Sequence, residues 1–180
     1  MKATGIVRRI DDLGRVVIPK EIRRTMRIRE GDPLEIFTEK DGELIFKKYS
    51  PIGELADFAG DMCESLRRAS DGIAAVCDRD SVIAVAGGAK RELADKAVSA
   101  QLGAIMDARG IYRAEIGAAC VPVTASDTKH CVTVAAPIIA AGDIMGAVLF
   151  IAPSDGAPAG ECEVKLAQAA AAFLAKQMEG

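Results

Sequence analysis

The first fifty residues hold four short β-prone stretches, one two-turn helix and no cysteine. A segment of that size encloses little apolar surface and is marginal unless staples or a second chain help. "TGIVRRI" and "RVVI" are rich in β-branched residues and suit short strands. "DDLG" between them reads as a turn, with Gly14 suited to a positive φ. Pro19 ends the second stretch and opens a short helix, "PKEIRRTM", at the first position of which a missing N–H is harmless. After the turn "REGDP", "LEIFTE" and "ELIFKKY" flank "KDG" as a hairpin. The order is strand, turn, strand, short helix, strand, turn, strand. Dimerisation through intertwined strands is the physical remedy for so little core.

The composition changes near "KKYSPIGEL", residues 47 to 55. Of 32 alanines 31 lie after residue 50, with all five cysteines, whereas seven of thirteen arginines lie before it. Two domains, 1–50 and 51–180, are therefore expected. Ser50 is placed to cap a helix with Pro51 in its first turn. That helix, "PIGELADFAGDMCESLRRA", repeats Leu55, Phe58, Ala59, Met62 and Leu66 at helical spacing. Strands "GIAAVCD" and "SVIAVAG" follow, then a charged helical stretch, "KRELADKAVSAQLGAIMDA", with Leu93, Ala97, Leu102, Ile105 and Met106 on its apolar side. "IYRAEIGAACVPVTASDTK" has no clear period and reads as a loop. "HCVTVAAPII" and "IMGAVLFIA" pair around "AAGD". In the last helix Val164, Ala167, Ala171, Leu174 and Met178 recur three and four apart. They suit a seam between helices or an ordinary amphipathic helix on its own domain. The fold class is α+β.

Net charge −3 conceals an asymmetry. Residues 1–29 carry nine Lys and Arg against three Asp and Glu, or +6, which points to a polyanionic partner for this segment. At about 100° per residue, Lys20, Arg23, Arg24 and Arg27 fall in one arc of the short helix and Ile22 and Met26 opposite them. Arg8, Arg9 and Arg15 on the preceding hairpin add cations with few acids beside them. Arginine, with its forked donors, suits phosphate and guanine edges better than lysine. A helix-turn-helix is not expected, because the helix is short, flanked by strands, and no second helix stands three or four residues away. No aromatic residue occurs in the first 36, so duplex DNA is a better partner than stacked single strands. The acidic pair Asp11 and Asp12 has two readings, as a brace for the turn or as an orienting partner for a nearby arginine.

Signals for other functions are poor. The single histidine, His130, adjoins Cys131, and neighbours on a strand point to opposite faces, so no Cys/His nucleophile pair is expected. No enzyme activity, metal or cofactor is expected. The five cysteines, Cys63, Cys77, Cys120, Cys131 and Cys162, are odd in number, have no CxxC spacing, and read as small buried apolar side chains. No run suits a membrane span or a secretory signal, and a cytoplasmic location is the expectation. Small residues in "VAGGAK" and "APIIAAGD" leave room for a small-molecule effector of unknown identity, or mark tight turns.

"GIVRRIDDLGRVVIPKEIRRTMRIREGDPLEIF" resembles the swapped-hairpin DNA-binding domain of the AbrB family of bacterial transition-state regulators. The turn, the "GRVVIP" stretch and the paired arginines carry the resemblance. The second segment resembles a GAF-type domain, through its outer helices and the "APIIAAGDIMGAVLF" hairpin. The combination resembles that of bacterial sporulation regulators. It implies an intertwined dimeric β-barrel of swapped hairpins followed by a GAF-like α/β sandwich domain. It also implies DNA contacts by Arg8, Arg15, Arg23 and Arg24, with Arg9 and Lys2 in support. The dimer would form through residues 1–50 and a homotetramer through the terminal helices of the second domain, with activation at some promoters and repression at others. The departure of residues 110–130 from the GAF pattern leaves any effector unassigned. An antitoxin-like DNA-binding protein with a protein partner is the alternative.

Overall fold

The computed structural model describes residues 5–70, 72–127, 129–154, 156 and 159–179. The chain divides into two compact units, Met1–Tyr49 and Ser50–Gly180. In the first, α1 spans Lys20–Thr25, β1 Leu34–Thr38 and β2 Leu44–Lys48. The two strands form an antiparallel hairpin with Ile36 opposite Phe46. The stretches on either side of "DDLG" differ from the expected strands. Their turn closes, with the Asp11 N–H donating to the Arg15 carbonyl and the Gly14 N–H, at φ 76°, to that of Asp11. Beyond the turn, residues 5–10 and 15–18 pair with no strand of the unit, whose one described sheet is the β1–β2 hairpin. Val7, Ile10, Leu13 and Val17 of this segment stay exposed, at 94, 65, 70 and 71%.

Pro19 also stands one position earlier than expected, at the N-cap with ψ 148°, and α1 ends at Thr25. Arg27 adopts a left-handed φ of 52°, so it leaves the arc shared by Lys20, Arg23 and Arg24.

The second unit contains α2 (Pro51–Glu54), α3 (Ala56–Ser70), β3 (Ile73–Asp78), β4 (Val82–Ala86), α4 (Lys90–Leu93), α5 (Ala100–Asp107), β5 (Tyr112–Arg113), β6 (His130–Ala140), β7 (Asp143–Pro153) and α6 (Glu161–Glu179). The Ser50 hydroxyl accepts the Gly53 N–H at 3.1 Å and donates to Asp78 at 2.9 Å, so the helix start is capped as the sequence suggests. The helix breaks at Leu55 into α2 and α3. Five antiparallel strands run in the order β4-β3-β7-β6-β5. Side chains alternate across the sheet. Val76, Val148 and Phe150 join one core with Cys63, Leu66, Ala167, Ala171 and Leu174 of α3 and α6. Cys77, Leu149 and Ile151 join the other with Leu93, Leu102 and Met106 of α4 and α5.

The apolar stripe of α6 is thus spent on its own unit. Ala167, Ala171 and Leu174 are buried, and Val164 and Met178 pack half-buried beside them. Phe58 and Phe173 stay partly exposed, their rings 5.6 Å apart.

The charged helical stretch is two short helices. Between them Asp95 takes φ 61°, the Asp95 N–H donates to the Val82 carbonyl and the Val82 N–H to that of Lys96, both at 2.9 Å. The unpaired edge of β4 outcompetes the helix for these groups. Ser99 then caps α5 by accepting the Leu102 N–H at 3.0 Å.

Two cysteine expectations are corrected. Cys120 and Cys131 form a disulfide, and Cys162 is exposed. The irregular stretch before β6 folds back along that strand, with Pro122 bridging Cys131 and the Val132 N–H donating to the Val121 carbonyl. This brings together two residues whose spacing in sequence carried no signal.

Candidate nucleic-acid interface

Arg8, Arg9, Arg15, Lys20, Arg23 and Arg24 are all exposed. Arg8 and Arg9 precede the "DDLG" turn, Arg15 follows it, and Arg23 and Arg24 occupy the last turn of α1. Cations there favour the helix dipole, but in a helix of six residues that effect is small. Lys2 lies outside the described residues.

Ile22 and Met26, on the other side of α1, line an apolar concavity of about 420 Å³ with Ile6, Val16, Leu44 and Phe46, and Arg8 lies in the same wall. Ile22 is half-buried there and Met26 stays 46% exposed. The structure thus brings Arg8 and α1 to one concavity.

Contacts that the sequence did not suggest hold the exit of α1. The Lys48 ammonium on β2 donates to the Arg27 carbonyl at 2.9 Å and pairs with Asp32 at 3.2 Å, and Asp32 accepts the Arg29 N–H. At the turn, Asp11 accepts the Leu13 and Arg15 N–H groups and pairs with the Arg15 guanidinium at 2.8 Å. The Arg15 N–H, then its guanidinium, hold the Asp11 carboxyl below its ordinary value. Asp11 thus braces the turn and touches an arginine. Among the described residues no ion pair engages Arg8, Arg9, Arg23 or Arg24, which leaves their guanidinium groups available to an anion.

His130 Nδ1 lies 2.6 Å from Asp127, which also accepts the Lys129 N–H, and the Cys131 sulfur is bonded to Cys120. Burial pushes the thiols of Cys63 and Cys77 up to about 12, so neither is a ready nucleophile. Buried Ser99 and Thr133 donate to the carbonyls of Pro122 and Phe150. No described cluster of His, Cys, Asp or Glu could hold a metal. No described helix is long and apolar enough to cross a membrane.

Comparison with known proteins places these features in a lineage. Residues 7–54 match a family described as antidote-toxin recognition MazE, bacterial antitoxin. The chain is 54% identical to the transition state regulatory protein AbrB of Bacillus subtilis, over 32% of this chain and 65% of that protein. A GAF domain/HD domain protein from Geobacter sulfurreducens is similar in structure over 74% of this chain and 99% of that one, at 21% identity and a TM-score of 0.48. Residues 54–179 match the family described as stage V sporulation protein T C-terminal, transcription factor. Stage V sporulation protein T of Bacillus subtilis is 50% identical over 99% of both chains. On that extent of identity, this chain belongs to the stage V sporulation protein T family of transcription factors.

Proposed function

We propose that this protein is a DNA-binding transcription regulator of sporulation genes that activates at some promoters and represses at others. It grips duplex DNA with Arg8, Arg15, Arg23 and Arg24, supported by Arg9 and Lys2. The observation that carries this reading is the exposure of Arg8, Arg9, Arg15, Arg23 and Arg24 on one small unit, where among the described residues only Arg15 of these five has an acidic partner. Residues 1–50 form a dimer in which the hairpins of two chains interlace, which covers the apolar faces left open in one chain and doubles the arginines. Residues 51–180 form a GAF-like domain for assembly into a tetramer or for sensing an effector. Phosphate contacts position the protein, and DNA shape supplies much of the specificity.

In a gel-shift titration Arg23→Ala weakens DNA binding while the dimer stays folded. Loss of the folded dimer, or unchanged affinity, overturns this assignment. The antitoxin-like alternative calls for an extended acidic tail, whereas the second unit is built on a five-stranded sheet with two apolar cores.

A further inference from the structure

One carboxylate at the "DDLG" turn makes three bonds. Its first oxygen accepts the N–H groups of Leu13 at 3.0 Å and Arg15 at 2.8 Å. Its second accepts the Arg15 Nε–H at 2.8 Å. The backbone therefore fixes Asp11, and Asp11 fixes the base of the guanidinium fork. Both terminal nitrogens of Arg15 remain unbonded among the described residues. The Arg15 side chain is 70% exposed and that of Asp11 35%.

Stability does not account for this pair, because exposed ion pairs contribute little. Charge alone argues against it too, since an acid within a cationic patch repels a polyanion. An unbraced arginine loses much rotamer freedom on binding, and bracing it beforehand removes part of that cost. Holding Nε rather than a terminal nitrogen leaves the two-pronged edge free for a bidentate contact.

We propose that Asp11 is a positioning residue, which holds Arg15 so that its two terminal nitrogens reach DNA acceptors as a preset fork. The proposal rests on the DNA-binding function above. Its test is a double-mutant cycle in the full chain with Asp11→Asn, Arg15→Ala and the pair, read as affinity for duplex DNA at fixed salt. Asparagine keeps an oxygen for the turn N–H groups but carries no charge for the guanidinium. Asp11→Asn is expected to weaken binding about three- to tenfold and to have no effect in the Arg15→Ala background. Stronger binding by Asp11→Asn would make Asp11 a mere surface anion, and an equal loss in both backgrounds would make it only a turn brace. Either result overturns the proposal. If Arg15→Ala binds normally while Arg23→Ala does not, the proposal fails and the DNA-binding function stands. If the unmodified chain binds no DNA, the function itself fails. A second readout is the Arg15 Nε–H proton resonance of the free protein, expected to be protected from exchange and to lose that protection in Asp11→Asn.

Discussion

Replacement of Val17 by aspartate separates a monomeric first unit from an interlaced one. Val17 is 71% exposed, and Ile6, Val7, Ile10, Leu13, Val16 and Val17 average about two-thirds exposed. Full burial of one such side chain contributes ~2 kcal/mol, so closing all six against a second copy is worth about 8 kcal/mol per chain as an upper figure. Val17 supplies ~1.5 kcal/mol of this, and an unpaired buried carboxylate adds a penalty of several kcal/mol. The expected cost in a dimer is at least about 3 kcal/mol per chain, against roughly 0.5 kcal/mol at an open surface. The assay is thermal unfolding followed in the amide resonances of the Leu34–Lys48 hairpin, at protein concentrations about a hundredfold apart. The transition should rise with concentration, as mass action requires, and Val17→Asp should lower it sharply. A transition independent of concentration and indifferent to Val17→Asp would refute the interlaced dimer.

Gly146→Ala should destabilise the second unit by about 3 kcal/mol, because its Cβ would lie 2.8 Å from both Asp78 Cα and Ile52 Cδ1 and would run into the Cys77 carbonyl. An unchanged denaturation midpoint would contradict that packing. Burial pushes the Asp127 carboxyl up, but the Lys129 N–H and the His130 ring more than offset this and leave it below the ordinary 3.8. Its stabilisation is therefore complete above pH 3.8 and lost as the pH falls through the lower folded value. The stability gap between Asp127→Asn and the unmodified chain should close in acid, and a gap that stays flat would count against the carboxylate. Cys120→Ser should cost roughly 2–3 kcal/mol, given a sequence separation of 11 between the bonded cysteines, and should make the melting temperature insensitive to reductant. Continued sensitivity would show that another thiol is responsible.

What could be read in the sequence depended on whether a signal was local. Ser50 and Pro51 announce a helix start because capping is decided within four residues, and the β6–β7 hairpin is visible in its unbroken apolar runs around "AAGD". The charged stretch after β4 misled, because its helical spacing is outbid by the free edge of β4 near Val82, a contact remote from any window of the sequence. The same holds for Cys120 and Cys131, which meet only once the irregular loop lies along β6. At the candidate site, exposure of Arg8, Arg15, Arg23 and Arg24 followed from charge and helical angle, whereas the stretches on either side of "DDLG", expected as strands, pair with no strand among the described residues. Asp11 was half legible. Its place four residues before Arg15 across a glycine turn is the signal, and only the folded turn shows that one carboxylate serves both backbone and guanidinium.

The central claim is that arginines of this first unit neutralise DNA phosphates, and the salt dependence of binding tests it most directly. Four arginines on each of two chains predict that log affinity for duplex DNA falls with log salt at a slope of roughly −7. Arg23→Ala, which removes one cation per chain, should make that slope shallower by about 2. A slope near zero in the unmodified protein would contradict the account.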